Sequence, residues 1–389
     1  MRPLLMADKF DRNSAAYDLT QACKHDFQLQ RLPLYSSLLG SDSPPPQEVF
    51  EMYIRKIWDG AAPSSLVCDT PEAISLNLLI SRPIIDMGSQ GNTLVWLITG
   101  AGSGLGYQLA LEALSRSDKV IATGRSGRAF EKLEELKEKG AEILELDVTA
   151  SLESLQETAK KAIDIYGRVD VLVNNAAYVV SGTVEEIPLQ ATQDVFNTNL
   201  FGALNVTKGF LPYMRENKVG TVVWIGSIAG RIGFPSCGSY VATKWALRGI
   251  SATLQIEVAS LGLRTICVDL GWFRTCLSDP NYRVRTASTV DDYRSVVDGM
   301  EATLQGSVML SLNLLVFANG YLAAANGTQA GDPARGARVL VDVVRGEGVA
   351  KDKPFPPELV LGTDCYDTVK ADLLRNQPWR LDLSMNLVS

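Results

Sequence analysis

The sequence predicts an α/β fold: a doubly wound parallel sheet with helices on both faces, forming one main domain over residues 93–370. Two observations carry this reading. From residue 93 onward, short β-branched apolar runs alternate with amphipathic helical segments, the pattern of parallel strands joined by right-handed crossovers. The first of those runs leads directly into a glycine-rich turn that opens a helix. Composition agrees, since 46% hydrophobic and 21% charged residues in a chain of 389 are ordinary for a globular protein.

Taken in order, TLVWLITG (93–100) reads as a buried strand, YQLALEALSRS as a helix and KVIATGR (119–125) as the second strand. AFEKLEELKEKG is a helix ending at Gly140, and its mixed charges predict a solvated face with i,i+4 pairs. EILELDV, SLESLQETAKKAIDIYG and VDVLVNNAA (169–177) supply a third strand, a helix and a fourth strand. A helix around 189–216, strand GTVVWIGS (220–227), helix 239–260 and strand RTICVDLG (264–271) follow. Residues 277–332 break the rhythm with a polar stretch and then the apolar GSVMLSLNLLVFANG. They read as an enlarged substrate loop or lid, or, at 307–321, as the product of an unspliced intron or another gene-model artefact. GDPARGARVLVDVVRG is a late helix and ELVLG (358–362) a last strand. Residues 1–92 form an extension without a repeating plan. Within it Val49, Phe50, Tyr53, Ile54, Ile57 and Trp58 fall at helical spacing and predict one amphipathic helix over 47–59. Residues 371–389 read as a C-terminal tail.

Several function classes are disfavoured. With 37 Lys and Arg against 44 Asp and Glu, the net charge of -7 gives no support to a nucleic-acid partner. The most apolar run, 308–318, is shorter than the roughly 20 residues of a membrane helix, and no secretory leader is apparent. A soluble, cytoplasmic protein is expected. Its six cysteines contain no CxxC, which points to reduced thiols and no metal site. The only histidine is His25, in the extension. Proton transfer in the main domain therefore falls to Tyr, Lys, Asp, Glu, Ser or Cys.

The turn TGAGSGLG (99–106) sits where a nucleotide site needs it. Gly100 permits the tight turn, Gly104 lets backbone approach a pyrophosphate, and Gly106 allows close helix–sheet packing. The following helix N-terminus then offers N–H groups and positive dipole to phosphates. At the tip of the second strand stand Thr123, Gly124 and Arg125, where an NAD site usually places a carboxylate. Arg125 suits a 2′-phosphate instead, which favours NADPH over NADH. Farther on, Tyr240 and Lys244 share a helix face. Tyr366 and Lys370 repeat that spacing, so spacing alone does not single out the first pair.

Order along the chain separates them. The full Thr-Gly-x-x-x-Gly-x-Gly turn is followed by Asp147 in LDVT, by Asn174, Asn175 and Ala176, and by Asn199 in NTNLFG. Ser227 then lies thirteen residues before Tyr240, and Gly271 and Thr275 follow in DLGWFRT. Over roughly 93–370 this chain resembles the short-chain dehydrogenase/reductase family, departing from its pattern at Ala177, usually glycine, and Leu270, usually proline. The resemblance implies a Rossmann-type fold and a catalytic set of Ser227, Tyr240, Lys244 and Asn199. It implies cofactor contacts from Gly100, Ser103, Gly104, Leu105, Gly106, Arg125, Asp147, Val148, Asn174, Ala176, Tyr240, Lys244, Gly271 and Thr275. It also implies a homodimer or homotetramer paired through the helices around 189–216 and 239–260.

The chemistry follows from the residue types. Carbonyl reduction needs a hydride at carbon, which NADPH supplies, and a proton at oxygen, which Tyr240 can supply. At an effective dielectric of ~20, an ammonium 4 Å from a phenolate is worth roughly 4 kcal/mol. That predicts a Tyr240 pKa below its ordinary value of about 10. Lys244 also holds the nicotinamide ribose by resemblance, Ser227 bonds the substrate oxygen, and Asn199 holds a water leading from Lys244 to solvent. The expected function is NADPH-dependent reduction of an apolar ketone or aldehyde. The alternatives are oxidation of a secondary alcohol at the same site, or a non-redox, cofactor-bound regulator or cyclase. Tyr366 is expected to be ordinary C-terminal packing.

Overall fold

The computed structural model describes residues 93–125, 127–279, 283–305 and 329–375. The extension with its 47–59 helix, the 307–321 insert and residues 376–389 lie outside the described residues. Seven strands form one parallel sheet: β1 (Val95–Ile98), β2 (Lys119–Gly124), β3 (Glu142–Glu145), β4 (Val171–Asn174), β6 (Thr221–Ile225), β7 (Arg264–Leu270) and β9 (Glu358–Leu361). Their order is β3-β2-β1-β4-β6-β7-β9, so the winding reverses between β1 and β4. In such sheets ligands bind at the carboxyl ends of the strands beside that reversal.

The central strands β1, β4 and β6 bury both faces, as strands inside a parallel sheet do, while the edge strands β3 and β9 are only partly covered. Trp96, Ile98, Val120 and Ala122 point to one side. There they meet Leu105 and Leu109 of α1 (Gly104–Ser115), Leu133 and Leu136 of α2 (Arg128–Glu138) and Leu340 of α8 (Pro333–Arg345). Val95, Leu97, Ile121 and Leu172 point to the other, against α3 (Leu152–Tyr166), α5 (Ala203–Asn217) and α6 (Gly238–Val258). Helix ends carry their sequence punctuation. Ser151 caps α3 and Asp332 caps α8, with Pro333 in its first turn, and Gly167 and Gly346 close the same two helices in the left-handed region. Leu270, in place of a proline, completes the β7–β9 ladder opposite Leu361.

Three features depart from the expected elements. The helix around 189–216 is divided into α4 (Leu189–Phe196), a π-helical turn over Asn197–Gly202, and α5. A short strand β5 (Val179–Ser181) pairs in parallel with β8 (Arg283–Arg285) to make a second, two-stranded sheet. The polar part of 277–332 contains β8 and a helix, α7 (Asp291–Gln305). A final helix, α9 (Thr363–Arg375), carries Tyr366, which is 58% exposed rather than packed.

Candidate active site

The cradle for a dinucleotide is built at the β1–α1 junction. Gly100 lies at φ +65° and Gly104 at φ +55°, and a Cβ on Gly100 would sit 3.0 Å from the Ala176 Cα. A Cβ on Gly106 would lie 2.5 Å from Asn175 Nδ2, so this glycine is needed for close packing against the end of β4. The turn is tied to β4 by side chains. Asn175 Nδ2 donates to the carbonyls of Thr99 and Gly100, and Thr99 Oγ1 accepts from the N–H groups of Asn175 and Ala176. Asn174 faces the interior and donates to Thr207 Oγ1 at 2.8 Å, locking β4 to α5. Ser103 stands at the N-cap of α1 without a side-chain cap, and the first turn holds no acidic residue. The N–H groups of that turn thus stay available to an anion, unlike those of α3 and α8.

A cleft of about 330 Å³ opens there, lined by Ser103, Gly104, Tyr107, Lys132, Thr275 and Cys276 among others. Thr275 closes over the glycine turn, since a Cβ on Gly104 would meet its side chain at 3.3 Å. Its segment is pinned from both sides: Asp364 accepts from Trp272 N at 2.6 Å, and Arg274 pairs with Asp332 at 2.9 Å. Val148 and Leu105 are buried around the cradle, whereas Asp147 is exposed and accepts from Thr149 N and Oγ1. Arg125 is exposed at the tip of β2. The open N–H groups at the start of α1 fit a pyrophosphate.

The reacting groups lie on α6 and at the end of β6. Tyr240 is buried, and a side-chain hydrogen bond joins it to Ser227. Ser227 Oγ also accepts from Ala229 N at 3.1 Å, which fixes the hydroxyl at the head of a short 3₁₀ turn. Lys244 is 3% exposed, donates to the Ile225 carbonyl at 2.7 Å, and lies 5.7 Å from the centre of the Tyr240 ring. Asn199, in the π-helical turn, accepts from Tyr178 N and donates to Tyr178 O, holding the loop after β4. A π turn inside a helix is a frequent mark of a functional site. Beside Tyr240, Val179, Cys237, Met300 and Leu304 form a small apolar cluster, with Phe234 and Trp272 packed on it.

Comparison with known proteins places this arrangement. A family model described as short chain dehydrogenase matches residues 94–284. Oxidoreductase BOA17 of Botryotinia fuckeliana is 32% identical over 295 residues, covering 74% of this chain and 97% of the relative. The chain belongs to the short-chain dehydrogenase/reductase family. A solved short-chain dehydrogenase from Streptomyces avermitilis shares the fold with a TM-score of 0.63 and 31% identity, over 76% of this chain and 98% of that one. ElxO, solved with NADP bound, has a TM-score of 0.54 at 24% identity over 71% and 100% of the two chains, a likeness of fold. This short-chain dehydrogenase/reductase is an NAD(P)-dependent oxidoreductase.

One electrostatic expectation is overturned in this family member. Burial raises the Tyr240 pKa to about 12, and the Ser227 bond that works the other way is weaker. The reason is geometric. Burial outweighs the one hydrogen bond that works against it, and it also draws Lys244, 5.7 Å from the centre of the ring, down to about 8. Its ammonium is turned to the Ile225 carbonyl.

Residues not singled out by the sequence complete the short-chain dehydrogenase site. Lys132 and Tyr107 line the cleft because α2 packs beside α1, a tertiary neighbourhood without a local motif. Asp269, buried beside Gly226, pairs with Arg231 at 2.6 Å, and Glu358 bridges Arg231 and Arg248. No side chain fits on Gly226, because a Cβ there would collide with Asp269 Oδ1.

Proposed function

We propose that this protein reduces a ketone or aldehyde, with an apolar group beside the carbonyl, using NADPH. The observation that carries the reading is the buried Tyr240 hydroxyl, bonded to Ser227 and one helical turn from Lys244, at the carboxyl ends of the strands beside the sheet reversal.

The cofactor supplies a hydride to the carbonyl carbon when bound. The α1 N-terminus and Lys132 hold its phosphates, and the exposed Arg125 takes a 2′-phosphate, which favours NADPH. Ser227 donates to the substrate oxygen. Tyr240 transfers its phenolic proton to that oxygen as charge develops there, and the Lys244 ammonium stabilises the phenolate left behind. A reductase needs the protonated donor, and burial keeps Tyr240 in that form throughout the neutral range. The apolar cluster of Val179, Met300, Leu304 and Phe234 supports an apolar substrate.

The helices expected to pair copies of the chain expose Phe201, Trp245 and Ile256, which supports a homodimer or homotetramer. Among the described residues no helix is long and apolar enough to cross a membrane.

The test is NADPH consumption over a panel of steroid, polyketide-like, fatty and small aromatic carbonyls. The reading expects stoichiometric alcohol formation from at least one apolar ketone or aldehyde. NADPH binding without turnover of any member would contradict it.

A further inference from the structure

The substrate side of the site is walled by α7. Met300 and Leu304 of this helix are buried in the cluster that contains Tyr240, Val179 and Cys237. Apolar contacts of this kind are non-directional, so by themselves they set neither the depth nor the rotation of a helix. Glu301, between the two wall residues, supplies direction. It is 5% exposed and accepts from Ser181 Oγ and from Arg283 Nη1, each at 2.8 Å. Ser181 ends β5 and Arg283 begins β8, so one carboxylate ties α7 to both strands of the small sheet. That sheet is continued to the start of α6 by Gly182 N, which donates to the Ser236 carbonyl at 2.8 Å, four residues before Tyr240.

The pair is poorly placed to add stability. Arg283 Nε and Nη2 and Glu301 Oε2 are buried without a hydrogen-bond partner, and Arg285 Nε comes only to 3.9 Å of Glu301 Oε2. A buried ion pair left partly unsatisfied is often no better than apolar side chains of equal volume, whereas removing one partner alone is strongly disruptive. What it does supply is a fixed register.

We propose that the Glu301–Arg283 pair is a positioning device for the substrate wall. It sets how closely Met300 and Leu304 approach Tyr240, and so the bulk of the carbonyl compound admitted. The proposal rests on the carbonyl-reductase reading of the site. Both are positioning residues, acting through α7 and outside the chemistry.

The test uses the full chain with Glu301→Gln, Arg283→Met, the double variant Arg283→Met/Glu301→Leu, and Ser181→Ala. Three quantities are read: KM and kcat for the bulkiest ketone turned over, NADPH affinity, and amide hydrogen exchange over 297–305. Each charge-breaking single variant is expected to raise KM at least tenfold, with kcat within threefold and NADPH affinity within twofold. Exchange in α7 should quicken at least tenfold. The apolar double variant should return KM and exchange to within threefold of the parent. Ser181→Ala, which keeps the ion pair and loses one bond, should shift KM and exchange in the same direction by a smaller factor, and it serves if the single charge variants do not fold. Unchanged KM and exchange in the variants that fold would overturn the proposal. So would a double variant with exchange restored and KM still raised, because the charges would then be meeting substrate directly. If the parent enzyme reduces no carbonyl, the reductase reading fails, while exchange alone still decides whether the pair holds α7.

Discussion

At Tyr240, burial and the Ser227 hydrogen bond pull the phenol in opposite directions, and burial prevails. Its partner is affected in the complementary sense. Lys244 has its pKa lowered to about 8 from an ordinary value near 10.5, so the folded state binds fewer protons than the unfolded chain between those two values. Stability linked to Lys244 is therefore present above about 10.5 and lost as pH falls through about 8. Lys244→Met removes that linkage and should raise the melting temperature relative to the parent more at pH 7 than at pH 10. An equal shift at both pH values would show that Lys244 is not charged against burial. Arg125 makes a separate prediction, because a charge-assisted bond to phosphate is worth about 1.5–3 kcal/mol, or roughly 10–100-fold in affinity. Arg125→Ala should weaken NADPH binding by that factor while NADH binding stays within about threefold. Equal losses for both cofactors would remove Arg125 from the 2′-phosphate.

The elements are held together by buried polar groups as much as by apolar faces. Asp118, at the entry to β2, accepts from Leu94 N at 2.9 Å, from Trp96 Nε1 at 2.8 Å and from Arg345 at the end of α8. Asp118→Ala leaves the Leu94 amide and the Trp96 indole N–H buried without an acceptor, while Arg345 keeps Glu347, and it should cost about 3 kcal/mol in denaturant unfolding. A loss below about 1 kcal/mol would mean that water replaces the carboxylate. Glu186 acts similarly on the loop before α7. It accepts from Thr289 N at 2.6 Å and Val290 N at 3.0 Å, with Ser288 and Thr183 hydroxyls added. The backbone bond from Val290, foremost, lowers its pKa to about 2; burial, second in size, works the other way and is outweighed by the further bonds from Thr289, Thr183 and Ser288. The stability it contributes is present above about 4.5 and lost as pH falls through about 2. The gap in melting temperature between the parent and Glu186→Gln should therefore narrow from pH 5 to pH 2. A constant gap would place its role outside this titration.

Across the whole molecule, the sheet and most of its helices were legible because their apolar period is strong and caps such as Ser151, Gly167, Asp332 and Gly346 fall at junctions. The main strands and helices of 93–125 and 127–279 stand where the pattern expects them. What escaped has a physical reason in each case. β5 and β8 are three residues each, too short for any periodicity, and they pair with each other and with Glu301 across about a hundred residues of sequence. The π turn at Asn197–Gly202 lies inside an otherwise continuous helical pattern. The direction of the Tyr240 shift depends on burial by Cys237, Met300 and neighbouring groups, which no spacing of tyrosine and lysine records. Ser227, Tyr240 and Lys244 were legible as an ordered set, and the structure brings them together at one strand end. The exposed surface of the π turn before α5 and of α6 makes a prediction at this scale: Phe201→Asp with Ile256→Lys should lower the sedimenting mass of a dimer or tetramer. An unchanged mass would move the pairing surface elsewhere. The central claim is that Tyr240 donates the proton in an NADPH-dependent reduction. Its most direct test is Tyr240→Phe, assayed in parallel for NADPH binding and for turnover of a reducible carbonyl. The account predicts binding within about threefold of the parent and turnover lower by about a hundredfold or more; turnover retained at the parent rate would contradict it.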